Sequence, residues 1–102
     1  FLWPNMTINV MPGHPNISIG PIVPTGPDQT ARFLDYFVGL EVDDAWVEEM
    51  IAFDDQVGAE DTVLVERVQK GLRSGLVDHG RLMGESEQLI AHFQRLLLDA
   101  LA

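Results

Sequence analysis

Asp61 is the residue whose type and spacing most strongly suggest chemistry. If residues 58–74 form a helix that turns about 100° per residue, four apolar residues share its face to within about 60°: Leu64, Val65, Val68 and Leu72. An ionised carboxylate on a buried face must be paired, hydrogen-bonded or bound to a metal, because its desolvation is costly. The residue types alone leave three interpretations of Asp61: a helix cap or first-turn acid, a metal or catalytic carboxylate, and an exposed or salt-bridged acid.

The other titratable residues are weaker candidates. The three histidines lack the mutual spacing of a metal site, with His14 in a proline turn, His79 in a glycine-flanked loop and His92 inside a predicted helix. We interpret His79 as a solvated loop residue and His92 as a surface or boundary residue. The acid pairs Glu48-Glu49 and Asp54-Asp55 point about 100° apart on a helix, which indicates a solvated face.

Composition excludes several classes of function. The chain has 102 residues, 46% of them hydrophobic, which predicts one packed domain. Its net charge of -10 disfavours nucleic-acid partners, because phosphates are repelled. The absence of cysteine excludes a disulfide framework, a zinc-thiolate site and a cysteine nucleophile in this chain. No stretch is long and apolar enough for a membrane span, so a cytoplasmic protein without membrane contact is expected.

The first forty residues predict strands. Asn5–Met11 alternates polar and apolar residues, Pro12–Pro15 is a turn, and Asn16–Val23 resumes an extended pattern, which together predict a hairpin. Pro21 predicts an edge position or a bulge in the second strand, since proline cannot donate to a ladder. Gln29–Leu40 is apolar on both faces and predicts a third strand that is covered on both sides.

Two helices are expected to follow. Asp43 or Asp44 is expected to cap the first, and Gly58 to end it. The second contains Asp61 and is expected to end between Gly71 and Gly75.

Ser86 is expected to cap a third, long C-terminal helix with a wide apolar stripe. Strands over about 1–40 followed by helices over about 43–102 predict an α+β fold, in which helices pack on an antiparallel sheet.

A family resemblance rests on residues spread over nearly the whole chain. A string of acidic, polar and small residues surrounds the candidate carboxylate: Glu60, Asp61, Glu66, Gln69, Gly71, Leu72 and Ser74. It is followed by Gly80, Leu82, Glu87 and Phe93, and preceded by WPNMTINVMPG and PIVPTGPDQTARFLDYF. Together these resemble the C-terminal end of the large (alpha) subunit of Rieske-type ring-hydroxylating oxygenases. Within that family, the sequence is most similar to the choline and glycine-betaine monooxygenase-like branch.

The resemblance implies a fold, a metal site and an activity. The catalytic domain of that family has a helix-grip fold and holds a mononuclear Fe(II) with two histidines and one carboxylate, and Asp61 matches the carboxylate. The intact enzyme activates O₂ to hydroxylate or dioxygenate an organic substrate, in many members an aromatic compound. Electrons come from NAD(P)H through a reductase or ferredoxin to a Rieske [2Fe–2S] cluster, and the subunits form homo-oligomers such as trimers.

The departures from the family pattern are as informative. The two ligand histidines and the Rieske cluster ligands have no counterpart here, and the chain opens at Phe1 within a strand-like run. We therefore expect residues 1–102 to be a C-terminal fragment of the catalytic domain that is inactive alone. The alternative is a non-enzymatic, small acidic α+β module that binds a ligand or a partner.

Aromatic residues raise one further possibility. Trp3, Tyr36 and Trp46 can form a cation–π cage for a quaternary ammonium group, although aromatic residues at such spacings more often pack in a core.

Overall fold

The chain folds as an antiparallel sheet followed by two helices. A computed structural model describes residues 1–77 and 79–102. Its elements are β1 (Met6–Asn9), β2 (Asn16–Gly26), β3 (Gln29–Arg32), β4 (Asp35–Val38), α1 (Asp44–Arg73) and α2 (Gln88–Leu101). The α+β class expected from the sequence is confirmed. The chain divides into two compact units, Phe1–Gln69 and Lys70–Ala102.

Strand β2 is the centre of the sheet in the first unit. On one side it pairs with β1, where Met6 lies opposite Pro21. On the other side it pairs with β3 and β4, and all three pairings are antiparallel. The turn between β1 and β2 is held by Asn16, whose amide accepts from the Met11 N–H at 2.9 Å and donates to the Met11 carbonyl at 2.8 Å. The predicted hairpin is confirmed.

The third predicted strand is interrupted, and Pro21 explains why. Ile22 pairs with Arg32 and Ile19 with Asp35, so the register is the same on both sides of the gap between β3 and β4. The Ile22 N–H donates to Asn5 of the β1 side at 2.7 Å. Because N–H groups alternate sides along a strand, the donor that Pro21 lacks is the one that should face β3 and β4. The expectation of one uninterrupted strand over Gln29–Leu40 is therefore wrong.

Gly20 lies at the same interruption. A Cβ built on Gly20 would fall 1.7 Å from the Phe33 carbonyl oxygen, so the two backbones meet where only glycine fits. A second irregularity lies between Pro24 and Gly26, where the pairing with β3 shifts by one residue.

Helix α1 is a single element of 30 residues, which corrects two expectations. Gly58 does not end a helix, and Asp61 is not a cap, because the backbone remains helical from Asp44 to Arg73. Asp43 is the residue before the helix, and its carboxylate accepts from the Ala45 N–H at 3.1 Å, as expected for a cap. The far end matches the expectation, since Gly75 follows with φ +71°.

The first turns of α1 contain the most buried apolar side chain. Met50, only 7% exposed, is the one large apolar residue that is buried among the described residues. Trp46, one turn earlier, lies against Gly13, where an added Cβ would be 2.9 Å from the ring, and meets the His14 ring edge to face at 5.1 Å. Gly13 has φ +117°, so the turn itself also requires glycine.

The second unit contains the end of α1, a connecting segment and α2. Glu87 occupies the cap position of α2, so the expectation for Ser86 is wrong. The Glu87 carboxylate instead accepts from the Met83 N–H at 2.6 Å, which closes the turn before the helix. Within the described residues, no helix combines the length and apolar character needed to cross a bilayer.

Candidate metal centre

Asp61 lies in the middle of α1 and is exposed. The apolar residues that follow on its face are exposed as well: Leu64 at 61%, Val65 at 65% and Val68 at 53%. The expected stripe is present, but its expected burial within this chain is wrong. The argument that Asp61 needs a partner to offset desolvation therefore does not apply to the chain by itself.

Asp61 continues the side of α1 that meets the sheet. Counting back at helical spacing, Gly58, Asp54 and Met50 all fall within about 60° of Asp61 around the helix axis. Met50 is buried, and Asp54 and Gly58 are half-buried. Gly58 is the last half-buried position on this side of α1 before Asp61. Asp61 is the first acidic residue after it on the same side.

A hydrogen bond between the sheet and the helix fixes this side of α1. The Tyr36 hydroxyl of β4 donates to Asp54 Oδ2 at 2.5 Å. Burial is the largest of the effects that raise the pKa of Tyr36 to about 12. The hydrogen bond to Asp54 and the negative charges of Asp54 and Asp55 raise the pKa further, whereas the positive charge of Arg32 lowers it. Tyr36 therefore keeps its proton and acts as a donor throughout the physiological pH range.

Arg32 makes the next contact along the helix. A Cβ built on Gly58 would lie 3.1 Å from the Arg32 Nη2 atom, so the guanidinium occupies the space that a side chain would take. Gly58 is one turn after Asp54 and one turn before Asp61. The glycine that was expected to stop the helix thus provides room for a side chain of the sheet.

The residues described do not assemble a complete metal site. Among residues 1–77 and 79–102, no three His, Cys, Asp or Glu side chains come together as possible ligands. His79 and His92 are exposed, as expected, and His14 is in contact with Trp46. Asp61 fits an Fe(II) site as one exposed carboxylate oxygen donor, and further ligands have to come from outside these residues.

The acid pairs differ from each other. Glu48, Glu49 and Asp55 are exposed, as expected for a solvated face. Asp54 is half-buried and bonded to Tyr36, so the same expectation is wrong for it. Tyr36 and Asp54 are the pair that the sequence interpretation missed, and the helical spacing of Asp54 from Met50 was the signal that could have indicated it.

Two of the three aromatic residues considered for a cage contact different parts of α1. The Tyr36 hydroxyl donates to Asp54, and the Trp46 ring meets His14 edge to face. These two positions of α1 are eight residues, or about 12 Å, apart along the helix axis. A cation–π cage therefore stays a prediction from the sequence.

A comparison with known protein families identifies the class of this chain. The family model of the ring hydroxylating alpha subunit (catalytic domain) matches residues 1–102, the whole chain. The chain therefore belongs to the family of ring-hydroxylating oxygenase alpha subunits, as the resemblance in its sequence indicated.

Its relatives include enzymes named for choline and carnitine. Choline monooxygenase of Arabidopsis thaliana is 34% identical over 95% of this chain and 23% of its own length. The carnitine monooxygenase oxygenase subunit of Escherichia coli K12 is 36% identical over 95% of this chain and 28% of its own length. Choline monooxygenase of Atriplex hortensis is 40% identical over 71% of this chain and 17% of its own length. The chain thus spans about a quarter of the curated relatives it matches, and no solved structure matches it significantly.

Proposed function

We propose that the chain is the C-terminal part of the catalytic domain of a Rieske-type non-heme iron monooxygenase, with Asp61 as the carboxylate ligand of the mononuclear iron. The observation that carries the proposal is the position of Asp61 on the sheet-facing side of α1, inside a chain that matches the catalytic-domain family from end to end. The bound Fe(II) supplies the activation of O₂. Asp61 supplies one anionic oxygen ligand and leaves the other ligands to the rest of the protein.

The substrate class follows from the named relatives. Choline and carnitine both carry a trimethylammonium group and are not aromatic, so we propose a small quaternary-ammonium compound and a single inserted oxygen atom. This replaces the expectation of aromatic catabolism.

Further components of the proposal come from the family. The intact protein carries the two histidine ligands and a Rieske [2Fe–2S] cluster, receives electrons from NAD(P)H through a reductase or ferredoxin, and assembles as a homo-oligomer such as a trimer. The helix-grip fold and the cytoplasmic location stay predictions; the plant relatives are named chloroplastic. Membership in a catalytic-domain family argues against the alternative of a non-enzymatic binding module.

Iron content and turnover of the intact protein test the carboxylate. Asp61→Ala is expected to lose most of the mononuclear iron and nearly all turnover, because one of the three protein ligands is gone. The matched control is Glu60→Gln, which changes the neighbouring acid, exposed and bonded to Gln56 at 3.1 Å. Equal iron content and turnover in Asp61→Ala and the parent protein would refute the assignment.

Substrate-dependent oxygen uptake tests the substrate class. Choline, carnitine and an aromatic carboxylate are supplied in turn to the purified oxygenase with its reductase and NAD(P)H. Uptake coupled to formation of a hydroxylated or cleaved ammonium compound is expected with the first or second substrate. Coupled uptake with the aromatic compound alone contradicts the proposed class.

A further inference from the structure

We propose that Tyr36 and Asp54 are positioning residues for Asp61: their hydrogen bond sets the rotation and height of α1 on the sheet, and thereby the place of the carboxylate. The inference rests on the proposed role of Asp61 as an iron ligand. It concerns residues that lie within the first unit.

The helical geometry connects the two acids. Asp54 and Asp61 are seven residues apart, so they differ by about 20° around the axis and by about 10.5 Å along it. Asp54 is held to the sheet by Tyr36, whereas Asp61 is exposed and projects from the next two turns. If α1 rotates or slides on the sheet at Asp54, Asp61 therefore moves in almost the same direction.

The contacts nearer the start of α1 cannot define the carboxylate as closely. Trp46 meets Gly13 and His14 four turns before Asp61, and Met50 contributes non-directional apolar packing three turns before it. The hydrogen bond from Tyr36 is directional, and its acceptor is a charged carboxylate oxygen of Asp54. It is therefore stronger than a hydrogen bond between two neutral groups. It joins the sheet to α1 two turns before Asp61.

Gly58 extends the same attachment by one turn. The Arg32 guanidinium lies 3.1 Å from a Cβ built on Gly58, so a long side chain of the sheet reaches the helix three residues before Asp61. Tyr36, Asp54, Arg32 and Gly58 thus form an attachment, here called the clasp, that ends one turn before the carboxylate.

The test measures Fe(II) affinity of the intact, metal-depleted protein by calorimetry, with the Rieske cluster retained. Tyr36→Phe and Asp54→Ala are expected to weaken Fe(II) binding about three- to tenfold, at or below the 10- to 100-fold typical of groups bonded directly to a ligand. Asp54→Asn retains an oxygen that can accept from Tyr36, and is expected to stay within about twofold of the parent protein. Asp55→Asn, the same change one residue along on an exposed side chain, is the matched control and should also leave affinity unchanged.

A double-mutant cycle separates positioning from general destabilisation. In an Asp61→Ala background, Tyr36→Phe is expected to change the residual Fe(II) affinity by less than about twofold, because the group it positions is absent. Its effect on thermal unfolding should be the same in both backgrounds. The inference would be overturned if Tyr36→Phe weakened Fe(II) binding equally with and without Asp61. It would also be overturned if Tyr36→Phe had no effect on Fe(II) binding while Asp61→Ala weakened it. If Asp61→Ala leaves Fe(II) affinity intact, the proposed function itself fails and this inference with it.

Discussion

At the scale of single residues, Tyr36 stands out among the described residues because its surroundings shift its pKa. It is the only tyrosine, and its hydroxyl lies between the sheet and an acidic helix. Burial and the Asp54 carboxylate both disfavour the tyrosinate anion, which raises the pKa from 10.0 to about 12. The native state therefore holds this proton more tightly than the unfolded chain.

That difference predicts a loss of stability in alkaline solution. Because the native pKa is raised, the stabilisation from Tyr36 is complete below pH 10 and is lost as pH rises from 10 towards 12. Tyr36→Phe should remove this dependence, which denaturant unfolding over the same range measures. A parent protein and a Tyr36→Phe variant with identical alkaline profiles would contradict the prediction.

The pKa itself can be assigned to its causes. Asp54→Ala removes the hydrogen bond and one negative charge but leaves the burial, so the pKa should fall part of the way towards 10.0 and stay above it. Ultraviolet titration of tyrosinate, taken as the difference from the matching Tyr36→Phe protein, measures this. Asp55→Ala is the control and should lower the pKa less, because Asp55 acts through its charge alone.

Gly58 gives a second prediction at the residue scale. Alanine is favoured over glycine inside a helix by about 1 kcal/mol, but its Cβ would lie 3.1 Å from Arg32 Nη2. Gly58→Ala should therefore stabilise the protein more in an Arg32→Ala background than in the parent background, by a few tenths to about 1 kcal/mol. Denaturant midpoints of the four proteins of this cycle measure the difference. Equal effects in both backgrounds would mean that the guanidinium moves away at no cost.

At the scale of elements, the sequence predicted the strands better than the helices. Alternation predicted β1 and β2, and the turn residues predicted their hairpin, because these depend on local spacing. Pro21 predicted an edge position or a bulge in the second strand, and this is wrong: β2 is central and continuous at Pro21. The gap lies in the partner strand, since the donor that Pro21 lacks belongs to the ladder with β3 and β4. Such an effect depends on pairing that local spacing does not specify.

The error at Gly58 has a similar origin. A glycine after an apolar helical run commonly marks a helix end, and its local cost in a helix is about 1 kcal/mol. Helix α1 nevertheless continues through Gly58 to Arg73, and the next two residues, Ala59 and Glu60, both favour helix. The sequence did not predict the clasp for the same reason. Asp54 and Asp55 are neighbouring residues of the same type, and only the position of Tyr36 in the folded protein distinguishes them.

The close approach of β2 to residue 33 predicts a strong effect of one methyl group. In Gly20→Ala the new Cβ would lie 1.7 Å from the Phe33 carbonyl oxygen, a backbone atom that cannot turn away, so a loss of at least about 3 kcal/mol is expected. Gly26→Ala in the same strand is the control, because its nearest neighbour would be at 3.8 Å. Denaturant unfolding of both variants checks this. Comparable stabilities would show that the sheet relaxes around Gly20.

At the scale of the whole molecule, two opposing properties govern the behaviour of the 102-residue chain studied alone. Apolar side chains on the face of α1 that contains Asp61 are exposed, which favours association. The net charge of -10 opposes it through mutual repulsion. The balance depends on ionic strength, because salt screens the repulsion and leaves the apolar attraction.

This balance predicts salt-dependent self-association. Sedimentation equilibrium should show stronger association at about 150 mM than at about 10 mM salt, as the screening length falls from about 30 Å to about 8 Å. Val65→Gln with Val68→Gln should weaken the association at the higher salt, since both valines are more than half exposed. Ala59→Gln is the matched control, because this exposed residue lies on the opposite side of α1 at about 160° from Asp61. A monomer at both salt concentrations, or an equal effect of the control, would exclude this face as the site of association.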